Sequence, residues 1–573
     1  MHMVYKYRVP ALSCALAVLL CDLIAQPYVT MGVCDDGPYI LMARTLANTG
    51  HIVFNGWAAP MLGWQLYLGA AFIKLFGFSF TAVRMSTMLV AMLTAFLLQR
   101  SLVLIGIKER NATLGTLAFV LSPLYLVLSA TYMTDIFGLF AIVICLYGCL
   151  RALLASTANS TIGWLCFAIV TNAICGTSRQ VAWLGVLILV PSTLWLLRAR
   201  RRVLLAGASM NLLGVLFVFV CVEWLKRQPY SIPEHVLPPS FPVVHILGQL
   251  SVFLLEIPFL LLPIFAIFIP EIRRNRPRIL AILAATFSIY FFLAAYPSHL
   301  RGGFLLEPTM FWQDLWVGVH GIFEGLSIRG RPPGFMSRSV QVLLTIVSFG
   351  GLTGLVSSVF LVRSKTPEPA PAKPLHWRQL AVLFAPFTFA YLLLLVPRAS
   401  GLIFDRYLLP VLVVTLLCLV RYHQDRISPR LPLITLAFIA MVAAWGITLT
   451  HNTFALYRGH VALIDELRAN GIPDTSVDNG WEYDLTAELQ HAPTINDPTI
   501  VVPAHAYVAV PPLSGHCSML WYDRTPHIHP LYSVSFDPDA CYGLAPFAPV
   551  HYSRWLAPTG TLYVVHFLPP PKP

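Results

Sequence analysis

Acidic residues are scarce in this chain, 26 in 573, and two of them stand side by side at Asp35-Asp36, just after the first hydrophobic segment. The stretch reads Cys34-Asp35-Asp36-Gly37-Pro38-Tyr39 and runs on as an amphipathic turn of helix to Asn48-Thr49-Gly50. Asp135 opens a later apolar run, and Arg179 falls between two runs in Gly176-Thr177-Ser178-Arg179-Gln180. Arg406 opens a late run in Phe404-Asp405-Arg406-Tyr407-Leu408-Leu409-Pro410, while Glu256 lies deep within another. These residue types suit one kind of chemistry. A carboxylate can take the proton of an attacking hydroxyl. Arginines can hold a phosphate through paired hydrogen bonds and stabilise it as it leaves. Taken singly, each charge also fits a snorkelling or structural role. Their shared side and their order along the chain favour the functional reading.

The elements that must position them are hydrophobic. The chain is 57% hydrophobic and 11% charged, against about 25% charged in a soluble domain. Its continuous apolar runs are long enough to cross about 30 Å of hydrocarbon as helix. Lipid cannot satisfy open strand edges, and the runs do not alternate as barrel strands do. The expected fold is an all-α polytopic membrane bundle of about 13 transmembrane helices. Spans are expected near 9–27, 80–99, 112–130, 133–151, 160–178, 180–197, 203–224, 245–269, 279–297, 338–362, 378–397, 407–421 and 431–450. The first is read as an uncleaved helix. Pro60 to Phe78 is read as a helix lying in the interface of the first outer loop.

The net charge of +12 sits in short loops, so the positive-inside rule explains it better than nucleic acid does. With the N-terminus inside, one side collects Arg100 with Lys108 and Arg110, the arginines of 198–202, those of 273–276, Arg363 with Lys365 and Lys373, and Arg421 with Arg426 and Arg430. The other side receives Asp35, Asp36, Asp135, Arg179 and Arg406. Were Pro60–Phe78 a full span, every later loop would invert. The segment 296–338 is a long outer loop that interleaves Arg301, Glu307, Asp314, Arg329 and Arg331 with aromatic residues; a functional loop and an interfacial anchor fit it equally. Thr366 to Pro374 reads as a Pro-rich linker.

The chain divides at 1–450 and 451–573, the second part being a small extracytoplasmic α/β domain. Tyr457 to Asn470 fits a helix closed by Gly471 and Pro473. Thr499–Val502 and Thr561–Val565 read as strands. Most of the 11 cysteines lie in apolar runs as small core residues. Cys517 and Cys541 fall in the polar tail, where a disulfide and two free thiols remain equal alternatives. His527 and His529 read as a surface pair more readily than as metal ligands, because no third ligand is identifiable.

In this order the motifs resemble the GT-C superfamily of membrane glycosyltransferases, and within it the branch of protein O-mannosyltransferases and lipid A aminoarabinose transferases. The resemblance rests on Asp35-Asp36-x-x-Tyr39, on Ala43-Arg44 with the Gly50-His51 break, and on Leu75-Phe76-Gly77 followed by Arg84. It continues through Asp135, Arg179 and the Arg406–Pro410 element, covering the first 200 residues well and the 400s weakly. One departure is Ala58-Ala59-Pro60, where the aminoarabinose branch carries Glu-Lys before the proline. A phosphate contact is then missing or supplied elsewhere.

The resemblance implies an inverting transfer of a sugar from a polyprenyl phosphate, undecaprenyl or dolichyl, to an acceptor hydroxyl on the outer face. It implies Asp35 as general base, Asp36 orienting the acceptor or a cation, and Arg179 and Arg406 on the phosphate. Asp135 would shape the sugar site, with Tyr39 and Tyr407 among the substrate-binding residues. No cofactor is required, although a divalent cation fits; the acceptor is a lipid, a glycan or a protein. A bacterial inner membrane is the expected location. A transporter or flippase of a lipid-linked substrate and a non-catalytic scaffold are the alternatives.

Overall fold

The computed structural model describes residues 9–232, 242–274, 328–330, 338–361, 375–399 and 404–569, apart from 501, 502, 504, 505, 512–514 and 520. The expected span at 279–297, the linker at 366–374, and the loop at 296–338 except 328–330 and 338 lie outside the described residues, as do Arg363, Lys365 and Lys373. Among the described residues, seven helices are long and apolar enough to cross a membrane, or eight if one bent pair is a single span.

The described chain starts with α1 (Val9–Ala25), followed by the short helices α2 (Asp36–Thr49) and α3 (Gly63–Phe76). At 1.5 Å per residue, the 14 residues of α3 cover about 21 Å, too little for a span, as the interfacial reading expects. Helix α3 lies across the ends of neighbouring helices. Trp64 Nε1 donates to Cys175 O at 2.8 Å, and Gln65 Nε2 donates to Tyr132 O at 2.9 Å.

Then come α4 (Phe80–Leu104), the pair α5 (Glu109–Val120) and α6 (Pro123–Ser129), α7 (Thr134–Leu154) and α8 (Ala158–Cys175). The run expected as one span at 112–130 is bent by 70° between α5 and α6. Ser122 caps α6 by accepting Tyr125 N–H, and Pro123 follows at its first position, which both starts a helix and stops the one before. Ser129 at its far end donates to the buried Asp22 of α1 at 3.0 Å. The run at 180–197 is also irregular: a 3₁₀ turn (Gln180–Trp183) and a π turn (Gly185–Leu189) precede α9 (Val190–Leu196).

The rest of the bundle is α10 (Arg201–Lys226), α11 (Val243–Leu260), α12 (Leu262–Phe265), α13 (Arg338–Leu361), α14 (Trp377–Arg398), α15 (Leu409–Arg426) and α16 (Ile434–Ala469). In the most apolar stretch of α7, 78% of residues are buried; in that of α10, 22% are. Helix α7 is therefore the hub of the bundle, and α10, with Leu212, Leu213 and Phe219 exposed, is a lipid-facing wall. Helix polarity repeats. Arg84, Asp135 and Arg406 stand at the starts of α4, α7 and α15, and Arg100, Arg151 and Arg426 stand near their ends.

Helix α16 runs unbroken for 36 residues through the position at 450–451. Its length of about 54 Å exceeds the hydrocarbon thickness and carries the chain into the tail. There β1 (Val477–Asp478), α17 (Trp481–His491), β2 (Tyr532–Ser535), β3 (Val550–Tyr552) and β4 (Gly560–His566) form a four-stranded sheet with one helix. The order is β1-β2-β4-β3, with only the β1–β2 pair parallel. The strand expected at 561–565 is present as β4; Thr499 and Ile500 are not in a strand, and Val501 and Val502 lie outside the described residues. Cys517 and Cys541 form a disulfide. His527 donates its backbone N–H to Glu488 and pairs with it through the ring. Arg329 joins the sheet by pairing with Asp478 at 3.3 Å and by accepting Phe536 N–H.

The tail clasps the loop between α1 and α2. Tyr457 of α16 donates to Glu482 of α17 at 2.6 Å, and its hydroxyl accepts Cys34 N–H at 3.4 Å. Burial raises the Glu482 carboxyl to about 7, from about 4.3 in a free chain. A folded-state value above the unfolded one costs nothing at low pH, and it lowers stability as pH climbs through that window. Glu482→Gln is therefore expected to flatten the fall in melting temperature between about pH 4 and about pH 7, read by thermal unfolding in detergent. An identical slope in variant and wild type would rule this out.

Asp36 is fully buried and takes four donors: Val33 N at 2.7 Å, Arg84 Nε at 2.7 Å, Arg84 NH2 at 3.0 Å and Tyr132 N at 3.1 Å. Removing one partner of such a pair strands a buried charge at a cost of about 3–5 kcal/mol. Asp36→Ala is expected to lower the melting temperature sharply, whereas Asp35→Asn should melt as wild type does.

Candidate active site

The two adjacent acids face different ways. Asp35 occupies the cap position of α2 but makes no capping bond with its side chain, and Cys34 before it is left-handed (φ 57°), a costly conformation outside glycine. This turn sends Asp36 inward to Arg84 and leaves Asp35 on a cavity of about 570 Å³, where its side chain keeps 29% exposure. Asp36, expected to orient the acceptor or a cation, is not on the cavity: its oxygens are taken up by the four donors above. Glu256 is buried in α11 and does not line the cavity either.

The remaining expected site residues converge. Asp35, Tyr39, Asp135, Arg179, Arg406 and Tyr407 all line this one cavity. Four of them form an alternating chain of charge. Arg406 NH2 reaches Asp35 Oδ2 at 3.3 Å, Arg406 Nε reaches Asp135 Oδ2 at 3.8 Å, and Arg179 pairs with Asp135 through its other oxygen. The guanidiniums are steered by rings: that of Arg406 sits 4.3 Å from the centre of Phe404, and that of Arg179 sits 4.9 Å from the centre of Tyr407. Tyr407 is fixed in turn by Tyr391, which donates to its carbonyl at 2.7 Å.

Local sequence explains each placement. Arg179 follows a 3₁₀ turn (Gly176–Ser178) in extended conformation, so its stem crosses α7. It does so at Gly138, one helical turn after Asp135, where a Cβ would come within 3.1 Å of the Arg179 Cδ. Arg406 lies in a 3₁₀ turn (Asp405–Leu408) that leads into Pro410 and α15.

Sequence reasoning missed the wall supplied by the tail. Trp57, Trp481, Asp497 and Arg524 line the same cavity. A signal was present: Asn-Gly-Trp occurs at 55–57 and again at 479–481, and both glycines are left-handed (Gly56 φ 79°, Gly480 φ 82°). The two tryptophans meet with ring centroids 4.6 Å apart. The Ala58-Ala59-Pro60 departure also lies here, since Ala59 and Pro60 line the cavity; Arg398 and Arg524 line it too, the latter paired with Asp497. Among the described residues, no group of three His, Cys, Asp or Glu is placed to hold a metal ion.

No family model matches the chain, and no curated protein matches it. The solved structures it is similar to include glycosyltransferases. ArnT from Cupriavidus metallidurans, solved in the apo state and bound to undecaprenyl phosphate, is 14% identical over 97% of this chain and 98% of its own, with a TM-score of 0.40. The S. cerevisiae protein O-mannosyltransferase complex bound to the sugar donor is 15% identical over 38% of this chain and 33% of its own, with a TM-score of 0.31. Arabinosyltransferase EmbB from Mycobacterium smegmatis is 13% identical over 79% of this chain and 41% of its own, with a TM-score of 0.33. At these TM-scores the likeness carries no chemistry, which must be argued from the cavity.

Burial raises the Asp35 carboxyl above the ordinary aspartate range; Arg406 opposes this and Asp135 adds to it. A base must be ionised, so turnover that uses Asp35 should fall as pH drops through this raised value, above the usual limb near about 4. Arg406→Gln removes the opposing charge and should move the acid limb to higher pH. A pH profile of turnover checks both, and an acid limb that stays put in Arg406→Gln would contradict the assignment.

Proposed function

We propose that this protein is an integral membrane glycosyltransferase that moves a sugar from a polyprenyl-phosphate donor to an acceptor hydroxyl on the extracytoplasmic face. The observation that carries this reading is the charge chain Asp35–Arg406–Asp135–Arg179 along one wall of a single cavity. Arg179 and Arg406 hold the lipid phosphate, and Asp135 keeps both guanidiniums in place beside the sugar. Asp35 takes the proton from the acceptor hydroxyl as its oxygen attacks the anomeric carbon. The bond from that carbon to the phosphate oxygen breaks, and its electrons leave with the phosphate. One displacement inverts the anomeric centre. Two arginines stabilise the departing charge through charge-assisted hydrogen bonds. Tyr39 and Tyr407 border the sugar and the arginines.

Two features support the outer face. The cavity lies at the helix ends opposite Arg100, Arg151 and Arg426, as the positive-inside rule asks of an outer site. The tail beside it carries the Cys517–Cys541 disulfide, and disulfides persist in oxidising compartments.

Purified protein incubated with undecaprenyl- or dolichyl-phosphate hexoses should release the lipid phosphate when an acceptor is present. Asp35→Asn is expected to abolish release, by at least about 10³-fold if it is the general base, while the protein still folds and is expressed. A fully active Asp35→Asn would sink the proposal. Binding of the donor without release of lipid phosphate in the wild type would instead favour a flippase.

A further inference from the structure

Resting on that reading, we infer that the acceptor is a neutral carbohydrate, and that its ring binds a tryptophan platform shared between the first outer loop and the tail. The cavity has two chemically different walls. The helix ends supply Asp35, Asp135, Arg179 and Arg406; the tail and the 55–57 turn supply Trp57, Trp481, Asp497 and Arg524. The first wall accounts for a phosphate and a proton. The second has no part in either step.

Its geometry is built, not incidental. Trp481 meets both Trp57 and Trp521, with ring centroids 4.6 and 4.4 Å away; all three remain half-buried, and Trp57 and Trp481 line the cavity. Asn55 holds the first turn: its Oδ1 accepts Trp57 N–H at 3.2 Å and its Nδ2 donates to Pro38 O at 3.2 Å. Its carbonyl accepts Ile495 N–H from the tail at 2.8 Å. Gly56 packs so closely that a Cβ would meet the Ile495 carbonyl at 3.2 Å. The platform is thus fixed from both sides.

The Arg524 guanidinium lies over the Trp481 and Trp521 rings, 5.7 and 5.8 Å from their centres, and Asp497 Oδ2 accepts its NH1 at 2.7 Å. This pair is neutral overall, which suits no anion. Asp497 takes one guanidinium N–H, and a guanidinium has five N–H donors with which to meet hydroxyl oxygens. An indole face beside such a pair matches a sugar ring, with its apolar C–H face and its rim of hydroxyls. A few placed polar groups beside aromatic walls are the usual build of a small-molecule site.

The test uses the full-length protein in detergent with neutral gluco-, galacto- and manno-oligosaccharides and a serine- and threonine-rich peptide. Saturable quenching of tryptophan fluorescence by an oligosaccharide, without donor, is expected in the wild type and should be lost in Trp481→Ala. In transfer assays, Trp481→Ala and Arg524→Gln should each raise the oligosaccharide KM about tenfold, equivalent to about 1.4 kcal/mol, and move kcat far less; Trp481→Phe should restore part of the KM. No quenching by any oligosaccharide, an unchanged KM in Arg524→Gln, or transfer to the peptide in preference would each overturn the inference. Failure of the wild type to release lipid phosphate from any donor would sink the glycosyltransferase reading instead, and the quenching titration would still decide whether carbohydrate binds.

Discussion

The half of this molecule that holds the cavity is organised by one buried ion pair. Asp36 draws its donors from its own loop, from Arg84 on α4 and from Tyr132 just before α7. Arg84 spends its remaining donors on the carbonyls of Val29 and Met31. Three segments that are distant in sequence are thereby locked at one point. A charge here is tolerable only because every lone pair is occupied; an unpaired one would be strongly destabilising. The neighbouring residue benefits. With Asp36 pinned, Asp35 is held on the cavity side of the same turn, facing an arginine from the far end of the chain.

This pair also marks the border of what could be read without coordinates. The residue order Asp35, Asp135, Arg179, Arg406 was legible because charge in an apolar chain is rare and must be accommodated. The division of labour between Asp35 and Asp36 was not, since both are aspartates in the same short motif. It is set by Cys34 in a left-handed conformation and by donors some 50 and 100 positions away, which no local pattern reveals. That α3 is too short for a span followed from length and charge. The bend at Ser122-Pro123 was overlooked because apolar content alone does not register helix direction.

The tail shows the same limit from another side. The β4 run and a helix around 457–470 were visible as patterns, but the helix was cut at the point where composition changes. Hydropathy reports the solvent around a helix and says nothing of its backbone hydrogen bonds, which continue through α16 without a break. Likewise, the two Asn-Gly-Trp sequences are each an ordinary turn signal. Only the fold brings them face to face. Residues contributed by a second module are the hardest to infer, since their partner surface is encoded more than 400 positions away.

The alternating chain of two aspartates and two arginines has a consequence for turnover. At rest its charges cancel. A sugar diester of phosphate brings one negative charge. After the proposed transfer Asp35 carries a proton, and the lipid phosphate, now a monoester, carries nearly two negative charges at neutral pH. The sum is about the same before and after. The proposed chemistry therefore shifts charge along one wall without requiring an ion to enter or leave a low-dielectric enclosure, and the electrostatic cost arises only when the lipid phosphate departs and Asp35 returns its proton to water.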